Sequence, residues 1–434
     1  MANRDFTDWD FTDYYGNEKN RERYRAGEPL PENEPTCIAP WTTITLHSGG
    51  DIKPCCTFKG ADGPSVHQGD TLESAWKGMT ELRRQFINKQ KPDRCVNCWK
   101  AEAGAGKSRR QWLRDKIHNV PKEFPLDPPM KLRHMDLNFG NTCNLKCRMC
   151  GSWGSTHWLK EDRKLMQINK DFQRGLRHNQ PLIIKADYYK KNPEMFDSLE
   201  RIDFKGGEPF MQDGMYEILE FLVESNFAKD VVIGYTTNGT KKPDKLQELW
   251  PHFKRVILNI SVEATGDLYK YIRGSNIQSI DDLEQNIYWY DQFDNVKGHF
   301  SNTVNIYSIF DLQNLAEWMH RVTSNCKHWR TLDPARTSES LVEYIEPVQY
   351  DNLVKEPHYL DINNMPPNVK RDVLSKWTKD YPILRNLRKM LQKETYNEHE
   401  WQLFKQFTTE LDRMRKTDIK KVLPELAGEF NGSN

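Results

Sequence analysis

The chain has 434 residues, with 63 Lys and Arg against 62 Asp and Glu, a net charge of +1 and a mean hydropathy of −0.84. Balanced charge gives no electrostatic footprint for nucleic acid or an anionic membrane, and no run of about 18 apolar residues is present to span a bilayer. The length leaves room for a substantial core in two or three units, and the polar N-terminus lacks an apolar signal segment, so a cytoplasmic location is expected.

Residues 1–36 are rich in Asp, Glu, Asn and Pro and read as a disordered tail. Residues 37–100 form a small cysteine-bearing module. In it, Trp41–Leu46 reads as a strand, Gly49-Gly50-Asp51 as a turn and Ile52–Thr57 as the returning strand. Apolar spacing through Leu72, Trp76, Met79, Leu82 and Phe86 predicts a helix over 72–87, and Pro92 breaks the pattern before Cys95. Residues 101–130 read as a linker, basic and helical to about residue 118, then marked by Pro121, Pro125, Pro128 and Pro129.

From residue 131 strands and helices alternate. Strands are expected at Leu132–Leu137, Ile202–Phe204, Val231–Tyr235, Val256–Val262, Phe300–Ile306 and Leu341–Val348. Helices are expected near Ser155–Met166, Tyr216–Val223, Asp244–Trp250 and Asp311–Val322. Such alternation means parallel βα units. Six units are too few for a closed eight-stranded barrel. The expected fold is therefore α/β: a partial (β/α)6 TIM-like barrel over 131–350, a small N-terminal β-hairpin/helix module, and a C-terminal helical extension over 351–434. From Leu360 onward two long polar helices are expected, with a short disordered end at Asn431–Asn434.

In parallel βα folds the working residues sit on loops at the carboxyl ends of strands. Here Cys143, Cys147 and Cys150 follow the first strand, spaced C-x3-C-x2-C. A closed structural zinc site wants four protein ligands. Three thiolates on an iron–sulfur cubane leave one iron free for a ligand, the arrangement of a reactive site. Gly206-Gly207-Glu208-Pro209 follows the second strand and Thr236-Thr237-Asn238-Gly239 the third. Ser261 and Glu263 end the fourth, Arg273 lies a little further on, and Asn305 ends the fifth. The cysteine count is nine, and seven fall in three tight groups. An odd, clustered set argues against a disulfide framework and for thiolate metal or cluster sites in a reducing compartment. Cys326 reads as an ordinary buried thiol.

The triplet Cys143-x3-Cys147-x2-Cys150, followed by Gly206-Gly207-Glu208-Pro209, resembles the radical S-adenosylmethionine (SAM) superfamily over roughly residues 131–350. The resemblance implies a 4Fe–4S cluster on the three thiolates, with SAM on the fourth iron. It implies one-electron cleavage of SAM to a 5′-deoxyadenosyl radical that takes a hydrogen atom from substrate. It also implies roles for the marked residues. Gly206, Gly207 and Glu208 meet the methionine ammonium. Ser261 and Glu263 meet the ribose hydroxyls, Arg273 the methionine carboxylate, and Asn305 with Ile306 the adenine. Where the family commonly has an aromatic residue before the third cysteine, this chain has Met149, a soft apolar surface that also suits adenine.

Cys37, then Gly50 and Cys55, then Cys95-Val96-Asn97-Cys98 resemble the first half of a SPASM domain and its shortened twitch form. The resemblance implies one auxiliary 4Fe–4S cluster on Cys37, Cys55, Cys95 and Cys98, with Cys56 spare or exchanging with Cys55. A four-thiolate zinc knot is the alternative for this set. The domain usually follows the barrel, and here it precedes it.

The implied function is peptide or protein modification by an oxidoreductase-type radical SAM enzyme. The alternatives are oxidation or rearrangement of a small metabolite by the same chemistry, or a non-catalytic zinc- or cluster-binding protein. The implied partners are a low-potential donor such as flavodoxin or ferredoxin, and a precursor peptide presented by a carrier protein.

Overall fold

The computed structural model describes residues 35–60, 63–103, 108–172, 182, 184–274, 278–329, 357–379 and 381–430. Residues 1–34 of the expected tail over 1–36, the expected strand at 341–348 and the expected disordered end at 431–434 lie outside the described residues.

Among the described residues seven strands form one sheet: β1 (Thr43–Leu46), β2 (Ile52–Lys53), β3 (His134–Asn138), β4 (Arg201–Lys205), β5 (Val232–Thr237), β6 (Arg255–Ser261) and β7 (Val296–Ser301). Their order is β2-β1-β3-β4-β5-β6-β7. Six strands run parallel, and only the edge strand β2 is antiparallel. This is the mixed α/β, partial TIM-like arrangement that the alternation implies. The first of the six parallel strands is β1, contributed from the N-terminal cysteine module. It pairs with β3 from Thr43↔His134 to Leu46↔Leu137.

Strand side chains alternate between two faces. One face carries Ile44, Leu46, Met135, Leu137, Ile202, Phe204, Ile233, Tyr235, Val256 and Leu258, all in the main apolar core with the helices that cover them. The other face is polar where β1, β3 and β4 meet: Thr43, Thr45, His134, Asp136, Arg201, Asp203 and Lys205. Helix Arg109–Lys116 lies across it, with Arg109 on Asp136 at 3.3 Å and Trp112 edge-on to His134. The stretch read as a linker thus covers one face of the sheet.

Several boundaries differ from expectation. β2 stops at Lys53 because Pro54 has no N–H for the ladder. The expected helix over 72–87 is two helices, Leu72–Lys77 and Thr80–Ile87, parted at Gly78 and Met79. The fifth expected strand begins earlier, at Val296, and ends at Ser301 rather than Ile306. Asn305 turns the chain there: its Oδ1 accepts from the N–H groups of Tyr307 and Ser308. Among the described residues the C-terminal part holds three helices of ten residues or more, Pro367–Lys376, Pro382–Leu391 and Glu398–Arg415, rather than two. Each is amphipathic: Val369, Val373, Leu384, Leu387, Trp401, Phe404 and Phe407 join the main core.

Candidate active site

The three-cysteine loop leaves the carboxyl end of β3 and is fixed from within. Asn141 Nδ2 donates to the Ser152 carbonyl at 2.7 Å, Trp158 Nε1 to the Cys147 carbonyl at 3.0 Å, and Asp162 accepts from the Ser152 N–H. Two other elements clamp it. Arg148 is fully buried, donates from Nε to the Tyr271 carbonyl at 3.0 Å, and pairs with Asp412 of the long C-terminal helix. Arg415, from the same helix, pairs with Glu161 and lies over the Trp158 ring.

Gly206 and Gly207 bring the β4 loop against this one. The Gly207 N–H donates to the Gly140 carbonyl at 3.1 Å and the Glu208 N–H to the Thr142 carbonyl at 2.8 Å. A Cβ on Gly207 would stand 2.2 Å from the Thr142 carbonyl oxygen. The close approach that glycine permits here is loop to loop. Glu208 is fully buried. Its carboxylate accepts from Thr237 Oγ1 at 2.7 Å, the Asn238 N–H at 2.8 Å and the Phe210 N–H at 3.3 Å. Burial pushes its carboxyl up to about 6, against those three donors and Arg273.

Around the sulfurs the donors are specific. Cys143 Sγ receives the Leu145 N–H at 3.4 Å and Asn238 Nδ2 at 3.8 Å. Cys147 Sγ receives Arg273 Nη1 at 3.5 Å. The same guanidinium reaches Glu263 through Nε at 2.7 Å and Nη2 at 2.9 Å. Arg273 is the last residue of helix Gly266–Arg273, which Gly274 ends at a positive φ of 64°. Burial raises the thiols of Cys143 and Cys147, and Arg273 opposes it at Cys147. The structure thus brings together Cys143, Cys147, Cys150, Glu208, Glu263 and Arg273. Ser261 is half-buried at the end of β6, opposite Ser301. Asn305 is fully buried in the loop whose Thr303 N–H reaches Glu263 at 3.4 Å, and its amide is engaged with Thr303, Tyr307 and Ser308.

The N-terminal cysteines converge although up to 61 positions separate them. Cys37, Cys55, Cys95 and Cys98 line one small pocket with Phe58, Phe86, Trp99, Leu113 and Arg110. Burial raises Cys37 to about 11 and Cys55 to about 12. Thr57 Oγ1 reaches Cys55 Sγ at 3.5 Å and Cys98 Sγ at 3.9 Å. Cys56 does not line the pocket, and instead lies by Arg109 and Lys205. All nine cysteines are free thiols. Among the described residues no three or more His, Cys, Asp or Glu side chains are grouped as they would be around a metal ion. Both cysteine sets nonetheless fit an iron–sulfur group in chemistry. Each gathers buried and half-buried thiols, whose charge a cluster would take up, with a guanidinium close by.

Other pairs found here carry no single-residue signature. Arg148–Asp412 and Arg415–Glu161 join partners more than 250 positions apart. The charged residues of the polar sheet face are more legible, since His134-x-Asp136 and Arg201-x-Asp203-x-Lys205 alternate at strand period.

Residues 137–307 match the Radical SAM superfamily. No curated protein matches the chain. Among solved structures, SuiB of Streptococcus suis bound to S-adenosylmethionine is similar at 14% identity and a TM-score of 0.31, over 44% of this chain and 39% of that one. SuiB bound to the precursor peptide SuiA is similar at 14% identity and a TM-score of 0.31, over 61% of this chain and 58% of that one. Native anSMEcpe with bound AdoMet is similar at 12% identity and a TM-score of 0.33, over 59% of this chain and 62% of that one. In each case less than two thirds of the other chain is spanned. Among the described residues no helix is long and apolar enough to cross a membrane.

Proposed function

We propose that this protein is a radical SAM enzyme that modifies a peptide or protein. A bound cluster and SAM would supply one-electron cleavage of the sulfonium and a 5′-deoxyadenosyl radical for hydrogen abstraction. The observation that carries the reading is the meeting of the three-cysteine loop with buried Glu208 and the Glu263–Arg273 pair, inside the stretch that matches the family.

In this reading Cys143, Cys147 and Cys150 hold the SAM cluster, and Arg273 and Asn238 donate to its sulfur ligands. Gly206, Gly207 and Glu208 receive the ammonium of SAM. Glu208 has room for one further donor beyond its present three, since an ionised carboxylate offers about four acceptor sites. Ser261 and Glu263 face the ribose, and Arg273 the carboxylate. Asn305 contributes to the adenine side through its loop. Cys37, Cys55, Cys95 and Cys98 hold an auxiliary cluster in a twitch-like module. Four ligands and an apolar lining suit electron transfer rather than substrate ligation. A flavodoxin or ferredoxin supplies the reducing electron, and a carrier protein presents the peptide, in a cytoplasmic setting. The peptide class follows from the resemblance of the N-terminal cysteines to SPASM modules.

The test is anaerobic reconstitution with iron and sulfide, then dithionite and SAM, with 5′-deoxyadenosine as the readout. The nucleoside should form, and Cys147→Ala should abolish it. Uptake of only about one zinc and no iron overturns the reading. So does a fully loaded protein that forms none beside an acceptable substrate.

A further inference from the structure

The polar face of the sheet gathers several charged side chains. Asp136 receives both Lys205 Nζ at 2.8 Å and Arg109 Nη2 at 3.3 Å, on one carboxylate oxygen. Its register neighbour Asp203 is fully engaged by Arg201, at 2.7 and 3.0 Å, and by His134 Nε2 at 2.8 Å. Burial lowers His134, which favours its neutral form. In this network Lys205, Arg109 and Arg201 face Asp136 and Asp203, with Cys56 close to Lys205 and Arg109. A further anion at the Lys205 end would meet two cations that share a single carboxylate oxygen.

Orphaned polar atoms stand in the same network. Among the described residues Thr45 Oγ1, Arg109 Nε and His134 Nδ1 are buried without a hydrogen-bond partner. Thr45 is the register partner of Asp136, and Trp112 stacks on the Arg109 guanidinium at 3.8 Å. With His134 Nε2–H given to Asp203, Nδ1 is left as an acceptor. The arrangement offers cationic donors and one acceptor side by side. The Lys205 side chain is 38% exposed, so the network is open at that end. Lys205 also directly precedes Gly206-Gly207, and Cys56 lies by both Lys205 and Arg109, next in sequence to Cys55 of the N-terminal set. The network therefore adjoins the N-terminal cysteines and the strand that leads into Gly206-Gly207.

We infer that this face anchors the substrate by an anionic group of carboxylate size, held by Lys205 and Arg109, with a neighbouring N–H or O–H of the substrate given to His134 Nδ1. That the ligand is a substrate rests on the radical SAM reading; that an anion binds here does not.

The test titrates the reconstituted full chain with N-acetylglutamate amide, glutarate and the neutral N-acetylglutamine amide, followed by ligand-observed NMR. Carboxylate probes should bind and the neutral one should not. A preference for the amide over glutarate marks a peptide side chain as the source, and the reverse a free acid. Lys205→Met should weaken binding about tenfold or more, Lys205→Arg should retain it, and Asp136→Asn, which removes the competing carboxylate, should tighten it. The inference is overturned if no carboxylate binds, if the neutral probe binds as well, or if Lys205→Met binds unchanged. It is also overturned if Lys205→Met loses iron from the N-terminal cysteines, because the cation would then serve the thiolates. 5′-Deoxyadenosine formation on the same preparation separates failure of this inference from failure of the radical SAM reading.

Discussion

Arg273 stands between a cysteine thiol and a buried carboxylate, with Nη1 3.5 Å from the Cys147 sulfur and Nε 2.7 Å from the Glu263 carboxylate. One guanidinium thus links the three-cysteine loop, the end of helix Gly266–Arg273 and the segment that follows β6. Both ion-pair partners are buried, so removing one leaves the other without compensation. Arg273→Met should cost about 3–5 kcal/mol of stability, and adding Glu263→Gln to it should recover part of that loss. Chemical denaturation of the two variants beside the wild type measures both effects.

Gly207→Ala is a steric test of the loop-to-loop contact. Its Cβ would meet the Thr142 carbonyl oxygen at 2.2 Å, a backbone atom that cannot rotate aside. A cost of about 1–3 kcal/mol is expected, with a lower iron content after reconstitution. Gly63→Ala, where a Cβ meets nothing within 4 Å, should leave both unchanged.

Glu208 predicts a pH dependence with a definite sign. Its carboxyl is raised by burial from 4.5 to about 6. The folded state therefore holds the proton more tightly than the unfolded chain. That stabilisation is fully present below 4.5 and is lost as pH rises through about 6. Relative to Glu208→Gln, the protein should lose about 2 kcal/mol of unfolding free energy across that window. Parallel curves for the two proteins, from denaturant titrations at several pH values, would contradict it.

Cys95→Ala should separate the two cysteine sets. If the proposed auxiliary cluster is present, iron per chain should fall by about half, while 5′-deoxyadenosine still forms on addition of dithionite and SAM. Turnover of a true substrate should stop. Cys56→Ala should keep its iron, because Cys56 stands outside the pocket lined by the other four.

Much of the core was legible because its signals are local. Val231–Tyr235 and Val256–Val262 announce strands by their β-branched runs, and β5 and β6 fall within two residues of those bounds. The fifth strand misled because Val304 and Ile306 look like strand residues. In fact Asn305 uses its amide to close a turn, and Gly298, which lowers strand propensity, packs under the Trp329 ring. The contact roles of Gly206 and Gly207 were not legible either, since a glycine pair does not say which backbone approaches it.

The sequence alone determined the alternation of strands and helices, the placing of marked residues at strand ends, and the spacing of the cysteine groups. These follow from periodicity, turn residues and spacing within a few positions. Only the tertiary structure decided that β1 pairs with β3 across nearly ninety residues, that Cys37 and Cys55 meet Cys95 and Cys98, and that helix Arg109–Lys116 covers the polar sheet face. It also decided that Arg148 and Arg415 tie the cysteine loop to the C-terminal helix. Pairing at such separations leaves no local pattern. A charged residue shows that it needs a partner, and only packing selects which one it finds.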